Sequence, residues 1–460
     1  MVKSLVKKSS VYLFAKVIAA AFSFFTLPIL VRLLSQEDIG LIVYFNAIVP
    51  MAIAIVFLGT EGAMVRLYFE YKNKDILFSN IFILIIMILL ISSIALIIQS
   101  NYFVLDDQIF VYILFAYVIF SGIKNYLLSY FRIQEKAKTF FSIFVILTIL
   151  GFVFQVVAGL EFKDPYYVLI AKTMIEILAI AFVIYYFYNH INLKLVSTEV
   201  LKNILKYALP ILPYSLALYA INTTDKIFVK YYLGLEETAI YGIAFTFVAT
   251  ISIFSSSIDM AWGPYFYKNI EHKKKEHFSR LTTLSYGLLS ILVVIIIIFS
   301  KDIVLLVYGQ EYLQSSYILS ILMFGTFIYA FYLFPVKSIN YKKKNSYTAI
   351  LAVIIMIINI VLNYIFIIAL GSIGCAIATT LSNVLFVLAL LYIAEKTFPI
   401  TYEYLPLISF VLIVFVNLII SYFFDFSLAY KLFILFISIA IILSLLFYKY
   451  KEFKIYEEQS

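Results

Sequence analysis

Charge is scarce in this 460-residue chain: Lys, Arg, Asp and Glu make up 13% of it, about half the share usual in a soluble domain. A single cysteine, Cys375, excludes a disulfide framework, and with only three histidines beside it the sequence argues against a zinc cage. Long polar connections are missing as well. None between the apolar runs exceeds about 20 residues, and no G-x-x-x-x-G-K-[ST] element occurs, so the chain has no room for a nucleotide-binding domain. ATP hydrolysis is excluded, no metal or organic cofactor is expected, and the short loops weigh against a polytopic glycosyl polymerase. No enzymatic activity is expected.

What is abundant is apolar: 64% of residues are hydrophobic and the mean hydropathy is +1.04. Apolar runs near 11–34, 39–60, 76–98, 108–131, 139–160, 165–188, 207–225, 238–260, 280–299, 315–336, 346–368, 373–394, 404–424 and 428–448 are each long enough to span a bilayer. They show no strand alternation, and a lipid-exposed backbone must satisfy itself internally, so they are expected to be helices rather than barrel strands. The fold class expected is all-α integral membrane, with about fourteen transmembrane helices.

Net charge +8 would suggest nucleic acid in a soluble protein, but here it reports topology, and no nucleic-acid partner is expected. Of the 34 Lys and Arg, 25 fall in the N-terminal segment, the even-numbered connections and the C-terminal tail, which places both termini in the cytoplasm. Lys7 and Lys8 precede an apolar run that continues to Leu30, longer than a signal-peptide core, so this run is read as an uncleaved first span.

The chain repeats itself. Val31–Gly40 leads into a span, and Val229–Thr238 does the same 198 residues later; Lys74–Ser79 matches Lys275–Ser279 at an offset near 200. The repeat unit is six helices. An even number gives both copies the same orientation, with a pseudo-two-fold along the membrane normal. The expected organisation is an N-terminal six-helix bundle (1–190), a C-terminal six-helix bundle (191–398) and two further helices with a tail (399–460), the bundles facing across a central cleft.

The informative residues are the ionisable ones inside spans. Lys16, Lys124 and Lys172 each cost about 2.5–3.5 kcal/mol at bilayer depth unless they face water or an anion. Two readings stand. The three lysines form an anion cradle, or Lys16 snorkels to the interface and Lys172 pairs with Glu176 one helical turn away. Glu61, Glu176, Asp225 and Asp259 are candidate coupling or cavity carboxylates, with local neutralisation of Asp225 by Lys226 as the plainer alternative. Thr246, Thr250 and Ser257 share one face of their helix, which is expected to line the cleft. His190, His272 and His277 lie in basic connections at spacings that suit neither a metal site nor a triad, and are expected to be solvated.

Arg32-Leu33-Leu34-Ser35-Gln36-Glu37-Asp38-Ile39-Gly40 resembles the R-x-L-[GS]-x-E-[DE]-[FIY]-G element that follows the first helix of polysaccharide flippases in the multidrug/oligosaccharidyl-lipid/polysaccharide exporter superfamily. Leu58–Tyr68 is similar to their second-helix ending. Asp225-Lys226, Tyr232-Leu233-Gly234 and Ala239–Gly242 are similar to their seventh-to-eighth connection, although alanine stands at 239 where glycine is usual. Ala261–Tyr265 and Asn359–Asn363 with Gly371, Gly374, Ala376 and Ala378 complete the set. The resemblance implies a V-shaped pair of six-helix bundles that moves an undecaprenyl-pyrophosphate-linked oligosaccharide across a bacterial or archaeal cytoplasmic membrane by alternating access. It further implies membrane lipids, a proton or sodium coupling ion and other polysaccharide-assembly proteins as partners. The same fold serves multidrug/cation antiporters and lipid II flippases. An antiporter would call for an acidic cleft rather than one bearing lysines.

Overall fold

The computed structural model describes residues 2–102, 107–271 and 275–459, with side chains described except at 2–10, 12, 13, 16, 99–102, 261, 264, 275, 276 and 448–459. Every regular element among these is helical. The chain divides into two compact units, Met1–Thr223 and Thr224–Ser460.

The first unit contains α1 (Val2–Val31), α2 (Gln36–Phe57), α3 (Thr60–Leu67), α4 (Lys74–Tyr102), α5 (Gln108–Ile133), α6 (Ala137–Phe162), α7 (Pro165–Phe187) and most of α8 (Thr198–Leu233). The Arg32–Gly40 element sets where α2 begins. Ser35 Oγ accepts from the Asp38 amide at 3.2 Å while the Asp38 carboxylate accepts from the Ser35 amide at 3.1 Å, a reciprocal cap worth about 1 kcal/mol. The helix stops where Leu58 and Gly59 turn left-handed, at φ 50° and 69°. Asp164 caps α7, with Pro165 at its first position, where no amide hydrogen is needed. Helices α5 and α7 pack along each other, as do α1 with α6 and α6 with α7. Between them Phe78, Tyr126, Phe131, Ile175 and Phe187 are buried. Ring contacts such as Phe131 on Tyr186, at 4.7 Å, add about 0.5–1.5 kcal/mol each. Lipid is as apolar as these side chains, so shape and dispersion rather than water exclusion hold the helices together within the bilayer.

The second unit holds the end of α8 and α9 (Leu235–Asn269), α10 (Lys275–Ile298), α11 (Ser300–Val307), α12 (Ser315–Ala330), α13 (Pro335–Tyr341), α14 (Asn345–Thr397), α15 (Tyr404–Phe423) and α16 (Leu428–Gln459). The 53 residues of α14 are two antiparallel arms. Asn359 Nδ2 donates to Ser382 Oγ at 3.2 Å, although a straight helix would hold these residues about 34 Å apart. The chain reverses between them at Gly371, whose φ of 63° and ψ of −143° suit only glycine. Gly374 sits so close to the first arm that a Cβ there would lie 2.0 Å from the Phe366 carbonyl oxygen. Helices α15 and α16 belong to this unit: Asn417 Nδ2 donates to Ser438 Oγ at 3.0 Å, and Ser421 Oγ donates to the Ile297 carbonyl at 2.9 Å.

Among the described residues, 12 helices are long and apolar enough to cross a membrane. Counting the arms of α14 separately and adding α1 gives about fourteen, each matching one expected apolar run. The fold class is all-α integral membrane. Two short helices, α3 and α11, were not expected.

Candidate functional site

Lys124 lies on α5 about 14 Å before its end, and Glu176 lies at the middle of α7, about 16 Å from either end. Because α5 and α7 are separated by one helix, they run in the same direction, and their contact brings these depths together. Lys124 Nζ donates to Glu176 Oε1 at 2.6 Å, with side-chain exposures of 17% and 8%. At an effective dielectric of 20 such a pair attracts by roughly 6 kcal/mol before desolvation is counted. The expected alternative, Glu176 with Lys172 on its own helix, is not the pairing formed. Lys172 Nζ instead donates to Asn46 Oδ1 on α2 and lies 5.2 Å from the Tyr117 ring and 5.8 Å from the Phe45 ring. Asn46 is exposed in mid-helix.

This cluster holds two cations and one carboxylate. Glu176 is 6% exposed, Tyr117 stands beside it, and its Oε2 has no hydrogen-bond partner among the described residues. An excess positive charge and an open acceptor at mid-bilayer suit an anion bound together with a donor. Lys16 is on α1, but its side chain is outside the described residues.

The other carboxylates are each held by a cation. Asp225 is 1% exposed: its Oδ2 accepts from Tyr241 Oη at 2.7 Å and its Oδ1 lies 3.4 Å from Lys226 Nζ, so the adjacent lysine neutralises it. Lys226 Nζ also sits 3.2 Å over the Phe245 ring. Glu61, on α3, is 3.1 Å from Arg132 Nη2 and accepts from Ser129 Oγ. Asp259 pairs with Lys337 at 2.5 Å. A further buried polar group lines the arms of α14. Asn363 Nδ2 donates to Asn359 Oδ1 at 3.0 Å, and Asn363 Oδ1 and Thr379 Oγ1 have no partner among the described residues.

Asn46, Tyr117, Arg132 and Lys337 were missed in the sequence. Asn46 and Tyr117 carried a signal, as polar groups deep in apolar runs; Arg132 and Lys337 were hidden among the basic residues that set topology. The expectation of solvated histidines is corrected at His277, which is 3% exposed and bonded through Nε2 to Tyr265 Oη at 2.6 Å. His190 Nδ1 meets Asp75 at 2.8 Å, and His272 lies outside the described residues. Thr246, Thr250 and Ser257 bond back to carbonyls of their own helix.

Among the described residues, the first unit holds several cavities, one of about 560 Å³ lined by Val11, Phe14, Lys138, Phe141 and Ser142, and two others. Of those two, one, of about 570 Å³, is lined by Met64, Phe78, Ile85, Tyr126 and Phe187 among others; the other, of about 530 Å³, by Arg66, Glu70, Tyr71, Asn203 and Lys206. None of these is lined by Lys124, Lys172 or Glu176.

Comparison with known proteins agrees with this architecture. Residues 5–270 match the family described as polysaccharide biosynthesis protein, and residues 210–365 match the MatE family. A protein of the Lsg locus of Haemophilus influenzae is 26% identical over 77% of this chain and 90% of its own length. A Haloferax volcanii protein named as a probable low-salt glycan biosynthesis flippase, Agl15, is 24% identical over 82% of this chain and 80% of its own. Among solved structures, the inward closed form of the lipid II flippase MurJ superposes with a TM-score of 0.75 at 18% identity, covering 96% of this chain and 98% of that one, a likeness of fold. The first match spans more than half of the sequence, and the chain belongs to the polysaccharide biosynthesis protein family.

Proposed function

We propose that this protein is a flippase that carries an undecaprenyl-pyrophosphate-linked oligosaccharide from the cytoplasmic to the outer leaflet of the cytoplasmic membrane by alternating access, for surface polysaccharide synthesis. The single observation behind the substrate class is the cluster of Lys124, Lys172 and Glu176, which carries net positive charge at mid-bilayer depth. A phosphate charge about 4 Å from a lysine gains roughly 4 kcal/mol at an effective dielectric of 20, more than the insertion cost of that lysine. Lys16 is assigned to the approach, where with Lys124 it draws the pyrophosphate in from the cytoplasmic side before the anion settles between Lys124 and Lys172. The sugar crosses in a wet passage while the polyprenyl tail stays in lipid. Both termini face the cytoplasm, as the Lys and Arg distribution favours.

The family assignment and the flippase name of the Haloferax relative support this reading. Direction comes from an ion gradient or from consumption of the product outside. The test is complementation of a deletion strain. Wild-type protein should restore surface polysaccharide, and the variant carrying both Lys124→Ala and Lys172→Ala, at matched expression, should not. Full restoration by that variant would discard the cradle.

A further inference from the structure

We infer that Glu176 is a proton-binding site, and that it takes up one proton when the diphosphate binds between Lys124 and Lys172. This rests on the anion-cradle reading above.

The inference starts from charge. With Lys124 and Lys172 protonated and Glu176 ionised, the empty cluster carries one net positive charge. A doubly substituted diphosphate brings two negative charges. If Glu176 stays ionised, the loaded site holds one uncompensated negative charge at mid-bilayer; if Glu176 is protonated, the loaded site is neutral. Unbalanced charge away from water is costly, so the neutral form is favoured.

The geometry adds to this. Glu176 Oε1 is the acceptor that holds the Lys124 ammonium, at 2.6 Å. A phosphate that takes over this ammonium leaves the carboxylate without its cation, and Oε2 already has no hydrogen-bond partner. A protonated carboxyl changes from acceptor to donor and can bond the phosphate oxygen that displaced it. The balance is simple: the carboxylate plus a proton from water gives the carboxylic acid, and release of the anion returns both.

Among the described residues of the helices packed on α7, no further charged group lies at this depth. Helix α5 presents Lys124 and Tyr117, and α7 itself presents Lys172. The described charges of α6 are Lys138 and Glu161 near its ends, and those of α2 are Glu37 and Asp38 in its first turn. The sign of the pH dependence follows. A bound anion raises the proton affinity of Glu176, so binding strengthens as pH falls. Kd should therefore rise with pH.

The experiment uses the full chain in lipid nanodiscs and undecaprenyl-diphosphate-N-acetylglucosamine as the probe. Titration calorimetry in buffers of different ionisation enthalpy counts the protons taken up per ligand. The expected count is about one for the wild type and about zero for Glu176→Gln. An infrared difference spectrum of the wild type should show a protonated carboxyl appearing on binding, a readout that depends on no variant. Wild-type binding without proton uptake overturns the inference alone. So does uptake that persists in Glu176→Gln, which would move the proton to a lysine. Failure of the wild type to bind the probe at any pH overturns the cradle reading and this inference with it.

Discussion

Glu61 and Asp259 stand 198 residues apart, and each is pinned to a basic side chain one residue past an apolar run, at 108–131 and at 315–336. Arg132 serves the first and Lys337 the second. The carboxylates share the offset at which Val31–Gly40 matches Val229–Thr238, whereas their basic partners are 205 residues apart.

The two pins differ in exposure, and their removal should differ accordingly. Glu61 and Arg132 side chains are 34% and 51% exposed, so Glu61→Gln should cost no more than about 1 kcal/mol. Lys337 is only 13% exposed, and Asp259→Asn should cost about 2–3 kcal/mol by leaving that ammonium poorly compensated. Thermal unfolding in detergent, monitored by thiol labelling of Cys375, ranks the two. Equal shifts would contradict the distinction.

Removing one member of the Lys124–Glu176 pair leaves the other buried and uncompensated. Lys124→Ala should therefore lower stability by about 3–5 kcal/mol. Replacing both by methionine should recover most of that loss, because an apolar pair of similar volume has no desolvation penalty. Polysaccharide export should stay absent in the double variant. Recovery of export with folding would mean that the pair is structural only.

The reversal within α14 predicts a covalent link. After Cys375→Ala, the combined variant N359C and S382C should form a disulfide on mild oxidation, since the native side chains touch at 3.2 Å. A continuous helix would keep the thiols about 34 Å apart and unlinked.

Two glycines should resist substitution there. Gly371→Ala places a side chain at φ 63°, with a cost of about 1–3 kcal/mol. Gly374→Ala should be worse, because the new methyl meets backbone oxygen rather than a movable side chain. Yield of folded, monodisperse protein after detergent extraction measures both. Normal yield from Gly374→Ala would contradict the close approach of the arms.

Much of this architecture could be read from the sequence because the bilayer makes its demand locally. Each of the fourteen apolar runs is a span by length alone, and Gly371 fell between two of them. The break before α3 was harder to see, since Leu58 and Gly59 turn left-handed inside an apolar run expected to continue to residue 60. His277 was misplaced because its neighbours Lys273, Lys274 and Lys275 look solvated, whereas Tyr265 from the preceding helix covers it. Glu176 shows the same limit inside the site. A lysine four residues away on one helix is visible in the sequence, but the lysine it pairs with comes from another helix, and only packing decides between them.

The pairing of Lys124 with Glu176 also bears on how the chain is made. Fifty-two residues separate them, so α5 leaves the ribosome well before α7. During that interval Lys124 has no counter-charge, and entry into lipid alone would cost about 2.5–3.5 kcal/mol. Helix α5 is best retained beside the insertion machinery until α7 arrives, and Lys124 then enters the bilayer already paired with Glu176. The ion pair therefore sets an order of membrane insertion, independent of anything the finished protein transports.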